Sequence, residues 1–178
     1  KSRRDVLPEV EHKVTELLRN LGMVNARFHI ELTDTSDFTP TGKNRAEFMF
    51  SANKQIEPEN LAKIASGGEL SRVMLSLKSF LSKNSGLPTI IFDEIDSGVS
   101  GEVANKVGVI LNEMGRFMQV INITHLPQVA ARGNIHYHVY KDDSGEATVT
   151  RIKLLTNEER IVEIARLLSG SEITQAAL

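Results

Sequence analysis

The chain has no cysteine, no tryptophan and only two tyrosines among its 178 residues. Without cysteine, disulfides and thiolate metal sites are excluded, and the composition fits a reducing compartment. No apolar run approaches the roughly 20 residues that a membrane-spanning helix needs, so no membrane partner is expected. The amino end, Lys1-Ser2-Arg3-Arg4-Asp5, does not lead into the uncharged stretch of a secretory signal. A cytoplasmic protein is expected. An excess of one charge is missing too: 21 Lys and Arg stand against 23 Asp and Glu, a formal net charge of −2. Such a balance gives no overall basic field, so any nucleic-acid contact must come from a local patch or from another part. What the chain does have is apolar content. At 178 residues and 40% hydrophobic it can bury a real core and suits one domain, and it shows no internal repeat or low-complexity tract.

That content is organised around residues 62–101. Ser66-Gly67-Gly68-Glu69 opens a run with Leu70, Val73, Met74, Leu77, Phe80 and Leu81 at helical spacing, the pattern of a buried helix start. Free backbone N–H groups and the positive end of the helix dipole meet there, ready for an anion. After a turn at Ser85-Gly86-Leu87-Pro88 comes Thr89-Ile90-Ile91-Phe92, then Asp93-Glu94. A strand apolar on both sides belongs in a covered parallel sheet, and acids at its carboxyl end sit where such sheets bind ligands. Together these features suggest nucleotide phosphate chemistry.

On either side the elements alternate. Val6, Val10, Val14, Leu17, Leu18 and Leu21 predict a first helix over 6–21 that Gly22 stops. Alternation at 24–33 and 45–51 predicts two half-buried strands joined by a polar loop, with a polar connection over 52–65. Ser97-Gly98-Val99-Ser100-Gly101 reads as a turn, followed by a helix over 102–114 that Gly115 ends. Residues 117–124 form the next apolar strand, which runs into His125 and a helix start with Pro127 in its first turn. A hairpin is predicted from 134–140 and 146–153, and a last amphipathic helix from 156–168.

Each candidate has a plainer reading. Ser66 and Glu69 could form only a capping box. Against that, two glycines at a helix start each cost roughly 1 kcal/mol of helix propensity, which is expected where a ligand must approach the backbone. Asp93-Glu94 could be an ordinary polar strand end. As a functional pair, one acid could hold Mg²⁺ while the other orients and deprotonates a water. Asp96 suits turn chemistry, since Asp-Ser-Gly is favourable turn sequence. His125 could be a satisfied structural histidine, although it stands on the same ligand-facing edge as the acids. His12, His29, His136 and His138 lack a metal-like partner set, and Lys1, Arg3 and Arg4 read as a solvated helix start. Thr41-Gly42-Lys43-Asn44 fails as a phosphate loop, because the earlier glycine is missing and Asn44 stands for Ser or Thr. No other stretch fits that pattern.

Taken in order, these stretches resemble the carboxyl-terminal half of an ABC-type ATPase head. Ser66-Gly67-Gly68-Glu69-Leu70-Ser71-Arg72 is similar to the ABC signature motif, and Ile90-Ile91-Phe92-Asp93-Glu94 to a Walker B strand with its catalytic glutamate. Asp96-Ser97-Gly98-Val99-Ser100-Gly101 stands where that family carries its D-loop, and Thr124-His125 matches the switch histidine. The longer stretches from Ala65 to Leu75, Phe92 to Gly101 and Thr124 to Ala130 are closer still to the RecN family, bacterial SMC-like DNA repair ATPases whose head is split between the chain ends. The resemblance implies an α/β fold: a mostly parallel sheet flanked by helices, with an additional β-hairpin. Residues 1–22 would be the end of a coiled-coil arm, and 23–178 the head half that lacks Walker A.

It further implies ATP and Mg²⁺ as cofactors. Asp93 would help hold the metal, Glu94 would activate water, and His125 would sense the γ-phosphate. Ser66, Gly67 and Gly68, with Glu69, would meet ATP bound to the opposite head, and Asp96 and Ser97 would line the same composite site. The implied partners are the amino-terminal half of the same protein, a second head in a homodimer, and DNA, in a cytoplasmic, nucleoid-associated protein. Asp96-Ser97-Gly98-Val99 departs from the Ser-Ala-Leu-Asp type of D-loop found in transporters. The readings left open are another SMC-like head, a transporter ATPase subunit, and a non-catalytic dimerisation or DNA-binding module.

Overall fold

The structure, a computed structural model, describes residues 3–64, 66–83, 86–145 and 147–169. Lys1 of the basic end, Ala65 beside the signature-like stretch and Ser85 of the predicted turn lie outside these residues.

Helix α1 (Arg3–Asn20) leads into the hairpin β1 (Arg27–Thr39) and β2 (Gly42–Ser51), and a two-residue β3 (Glu59–Asn60) pairs with β2. The polar segment expected to be a loop extends the hairpin instead. Thr39 pairs with Gly42 around a two-residue turn, with a register irregularity between Asp34 and Thr39. Side-chain alternation marks only the half-buried part of a strand, whereas ladder hydrogen bonds carry the polar remainder. At the exposed edge of β1, Glu11 of α1 accepts the Ile30 N–H at 2.7 Å. Arg3 reaches the Thr41 and Asn44 carbonyls, and Arg4 pairs with Asp34 at 3.3 Å. The basic helix start is thus clipped to the hairpin rather than merely solvated.

Helix α2 (Gly67–Ser82), strand β4 (Thr89–Asp93), helix α3 (Gly101–Met114) and strand β5 (Gln119–Ile123) follow. β4 and β5 pair in parallel, with Ile90 opposite Val120 and Phe92 opposite Asn122, and α3 is their crossover. A short α4 (Pro127–Ala130), the antiparallel hairpin β6 (Tyr137–Asp142) and β7 (Val149–Leu154), and α5 (Asn157–Ser169) complete the order. α5 starts with a true capping box that the sequence reading overlooked. The Thr156 N–H donates to Glu159, and the Glu159 N–H donates back to Thr156 Oγ1.

The fold is α/β, but the sheet is not mostly parallel. Among the described residues β4–β5 is the single parallel pair, and the other two sheets are antiparallel. The apolar run of β4 suggested cover on both faces. In fact Phe92 is buried against α3 while Ile91, Ile121 and Ile123 on the other face are 64%, 43% and 53% exposed.

Two cores hold α1 to α4 with strands β1, β2, β4 and β5. One joins Val14, Leu18, Met23, Ala26, Phe28, Phe50 and Val73. The other joins Leu21, Leu75, Phe92, Ile95, Ala104, Val107, Leu111, Met114, Met118 and Val129. α2 serves both, through Val73 on one side and Leu75 on the other. We expect Leu75→Ala to lower unfolding free energy by about 2–5 kcal/mol, read by urea denaturation.

His136, at the start of the second hairpin, adds a pH dependence. Burial lowers its pKa from the ordinary 6.5, and the positive charge of Arg160 adds to this, outweighing the pull of the Ala130 and Gly133 carbonyls. Below pH 6.5 the unfolded chain therefore takes up the proton first, so stability falls with acidification and the loss is complete below the depressed value. As the pH falls below about 6.5, thermal melting should drop in the wild type and drop less in His136→Asn.

Candidate functional site

The predicted site residues gather at one end of β4–β5. Asp93 closes β4 on the uncovered face, in register with Ile123, and its side chain is exposed. Glu94 follows in the left-handed region, φ 47°, and is the one non-glycine residue with positive φ among those described. Its N–H donates to the Ile123 carbonyl at 3.1 Å, so the parallel ladder runs one step beyond the strand. Its own carbonyl accepts the Ser97 N–H at 2.9 Å and closes the turn. A left-handed residue costs roughly 1–2 kcal/mol, and the surrounding bonds enforce it here. The result throws the Glu94 side chain out of the ladder into the open.

His125 stands two residues past Ile123, exposed, before the α4 cap at Leu126. α3 braces α4 from behind. A Cβ on Gly108 would lie 3.3 Å from Val129 Cα, so no larger residue fits without movement. Asn112 Nδ2 donates to the Arg132 carbonyl at 2.9 Å, and Arg132 donates to Asn105 Oδ1 at 2.8 Å.

α2 brings its amino end to the same place. A Cβ on Gly68 would stand 3.3 Å from the Ser97 carbonyl, whereas one on Gly67 would meet nothing within 4 Å. Ser66 is the cap residue but makes no side-chain capping bond, so the capping box is not formed. Glu69 lies in the first turn, and Ser97 is exposed. Asp96 differs from the rest. It is 1% exposed, donated to by the Thr124 hydroxyl, and its Oδ1 has no partner.

The site therefore unites Ser66, Gly67 and Gly68 with the Glu94–Ser97 turn, and sets His125 on the neighbouring strand end. Pockets lined by Glu47, Met49 and Lys63, and by Arg19, Phe28 and Glu57, lie on the β1–β3 side and contain none of these residues. No group of three acidic or histidine ligands occurs among the described residues. Mg²⁺ usually takes only one or two protein carboxylates and fills its remaining positions with water and phosphates, so Asp93 fits as a single ligand.

No family model matches the chain. DNA repair protein RecN of Haemophilus influenzae is 42% identical over 178 residues, covering 99% of this chain and 32% of the relative. The chain is a RecN homologue. It spans about a third of the length of the curated relatives it matches. Among solved structures, the Smc head domain with coiled coil and joint from Pyrococcus yayanosii superposes with a TM-score of 0.66 at 20% identity, over 87% of this chain and 28% of that one. A structure described under ATP-driven dimerization and DNA-stimulated activation of SMC ATPases gives a TM-score of 0.59 at 17% identity, over 92% of this chain and 93% of that one. At such identities the likeness establishes an α/β fold like that of SMC heads.

The RecN-like signature stretch thus has two unequal glycines. Gly67→Ala should stabilise the chain by about 0.5–1 kcal/mol, as expected for removing a helical glycine. Gly68→Ala should give no such gain, because its methyl presses on the Ser97 carbonyl. Paired denaturation curves measure the difference.

Proposed function

We propose that residues 23–178 are the carboxyl-terminal half of an ABC-type ATPase head in a RecN-like DNA repair protein, and that residues 1–22 end a coiled-coil arm. The observation that carries this reading is the meeting of three segments at one sheet edge: the α2 amino end, the Asp93-Glu94 strand end with its turn, and His125. The RecN homology supports the same conclusion.

ATP with Mg²⁺, when bound, supplies the transferable phosphoryl group and the charge that neutralises it. Asp93 holds the metal from its exposed position on the open face. Glu94, held clear of the ladder by its left-handed backbone, orients and deprotonates the attacking water. His125 reads the γ-phosphate from the adjoining strand end. The Ser66 hydroxyl and the backbone N–H groups at Gly67 and Gly68 receive the γ-phosphate of ATP bound to a second head, so each site takes parts from two heads. Glu69 and Ser97 flank that contact. The Walker A half packs on the uncovered face that presents Ile91, Ile121 and Ile123, which removes apolar surface from water. No helix among the described residues is long and apolar enough to cross a membrane, and RecN homology supports a cytoplasmic, nucleoid-associated protein. DNA is reached through the assembled protein, since the net charge of −2 supplies no basic field.

The test joins this chain to its Walker A half through a short linker and measures ATP turnover with and without linear DNA. Glu94→Gln should lower turnover by about 10²–10⁴-fold and accumulate an ATP-dependent dimer. Ser66→Arg should lose both turnover and dimer. Unchanged turnover in both variants would overturn the assignment.

A further inference from the structure

Asp96 is the most deeply buried acid of the site. Its Oδ2 accepts from Thr124 Oγ1, its Oδ1 has no partner, and the residue is 1% exposed. A buried carboxylate satisfied on one oxygen is costly, and a turn needing only an aspartate cap would leave it in water. The bond it does make spans 28 residues, from the turn after β4 to the end of β5.

Thr124 is engaged on both sides. Its hydroxyl accepts the Leu126 N–H at 2.9 Å and gives its single proton to Asp96. His125 lies between Thr124 and Leu126, which the first of these bonds ties together. α3 holds the far side of the same segment, through the tight Gly108 contact with α4 and the Asn112 and Arg132 bonds. The backbone on both sides of His125 is therefore fixed while the imidazole stays free in solvent. The carbonyl of Ser97, the residue after Asp96, is also the atom against which Gly68 packs.

We propose that Asp96 and Thr124 form a latch that positions His125, and that the Asp96-Ser97 turn ties that histidine to the amino end of α2 within one head. Asp96 is then a positioning residue that acts through Thr124, not a group that touches nucleotide. In a two-headed assembly α2 faces one nucleotide and His125 faces the other, so the latch connects the two composite sites through one chain. This inference rests on the ATPase reading above.

The test compares wild type, Thr124→Val, Thr124→Ser, His125→Ala and the double variant Thr124→Val/His125→Ala in the complete two-half protein. Valine keeps the shape of threonine and removes the hydroxyl, whereas serine restores it. Thr124→Val should lower kcat by about 100-fold, the scale of a misplaced catalytic group, with little change in KM for ATP. Thr124→Ser should stay near wild type. In the His125→Ala background Thr124→Val should cost nothing more, because its effect runs through the missing imidazole. An undiminished loss in that background would overturn the latch while leaving the ATPase reading intact. Unchanged turnover in His125→Ala would instead remove the ATPase role of the histidine. The His125 ring resonance in isotope-labelled protein then decides the latch alone: it should shift in Thr124→Val and not in Thr124→Ser, and an unmoved signal would overturn it.

Discussion

The structure depends on α2 being buried on two sides at once. Val73 and Leu75 are two residues apart, about 200° around the helix, so they point into different cores. The helix cannot rotate without exposing one of them, and it cannot slide without breaking the match on both. Its amino end is therefore aimed as firmly as its middle is packed. That end abuts the turn after β4, where Gly68 leaves just enough room for the Ser97 carbonyl. Ser76, fully buried between these two rows, satisfies its hydroxyl on the Arg72 carbonyl at 2.8 Å and so adds no unpaired group to the helix interior.

The same constraint makes the site a matter of backbone more than of side-chain contacts. Glu94 owes its outward position to a left-handed φ imposed by the Ile123 and Ser97 bonds. His125 owes its position to ties on the residues before and after it. Asp93, Glu94 and His125 remain exposed, free to meet groups that other parts supply. Asp96 alone is sealed inside, at 1% exposure, which its place in a turn sequence did not show.

Apolar surface is exposed on two of the sheets. On the second hairpin Tyr137 pairs with Leu154 and Val139 with Ile152, and all four are more than half exposed, while the opposite face carries the His138–Glu163 and Lys153–Glu159 pairs toward α5. Together with the open side of β4–β5, this is more one-sided apolar surface than strands fully enclosed by their own chain present.

Local structure was legible in the residues themselves. Helical spacing gave α1, α2, α3 and α5 to within a few residues, the strand ends gave Asp93, Glu94 and His125, and the paired glycines marked the start of α2. Each of these depends on neighbours within about a turn or a pleat, which sequence order preserves. Pairing partners were not legible, because a strand's periodicity says which face is buried and nothing about which strand lies beside it. Hence a mostly parallel sheet was expected where one parallel pair and two antiparallel sheets stand. Nor could the sequence show that Ser66 leaves its helix uncapped, that Gly68 and not Gly67 is crowded, or that Asp96 is held by Thr124. The last two need residues roughly thirty apart to be brought into contact. The sequence by itself determined the elements and which residues stand at their ends. Tertiary packing decided which ends meet and which carboxylate faces water, since burial and long-range contact are properties of the folded chain.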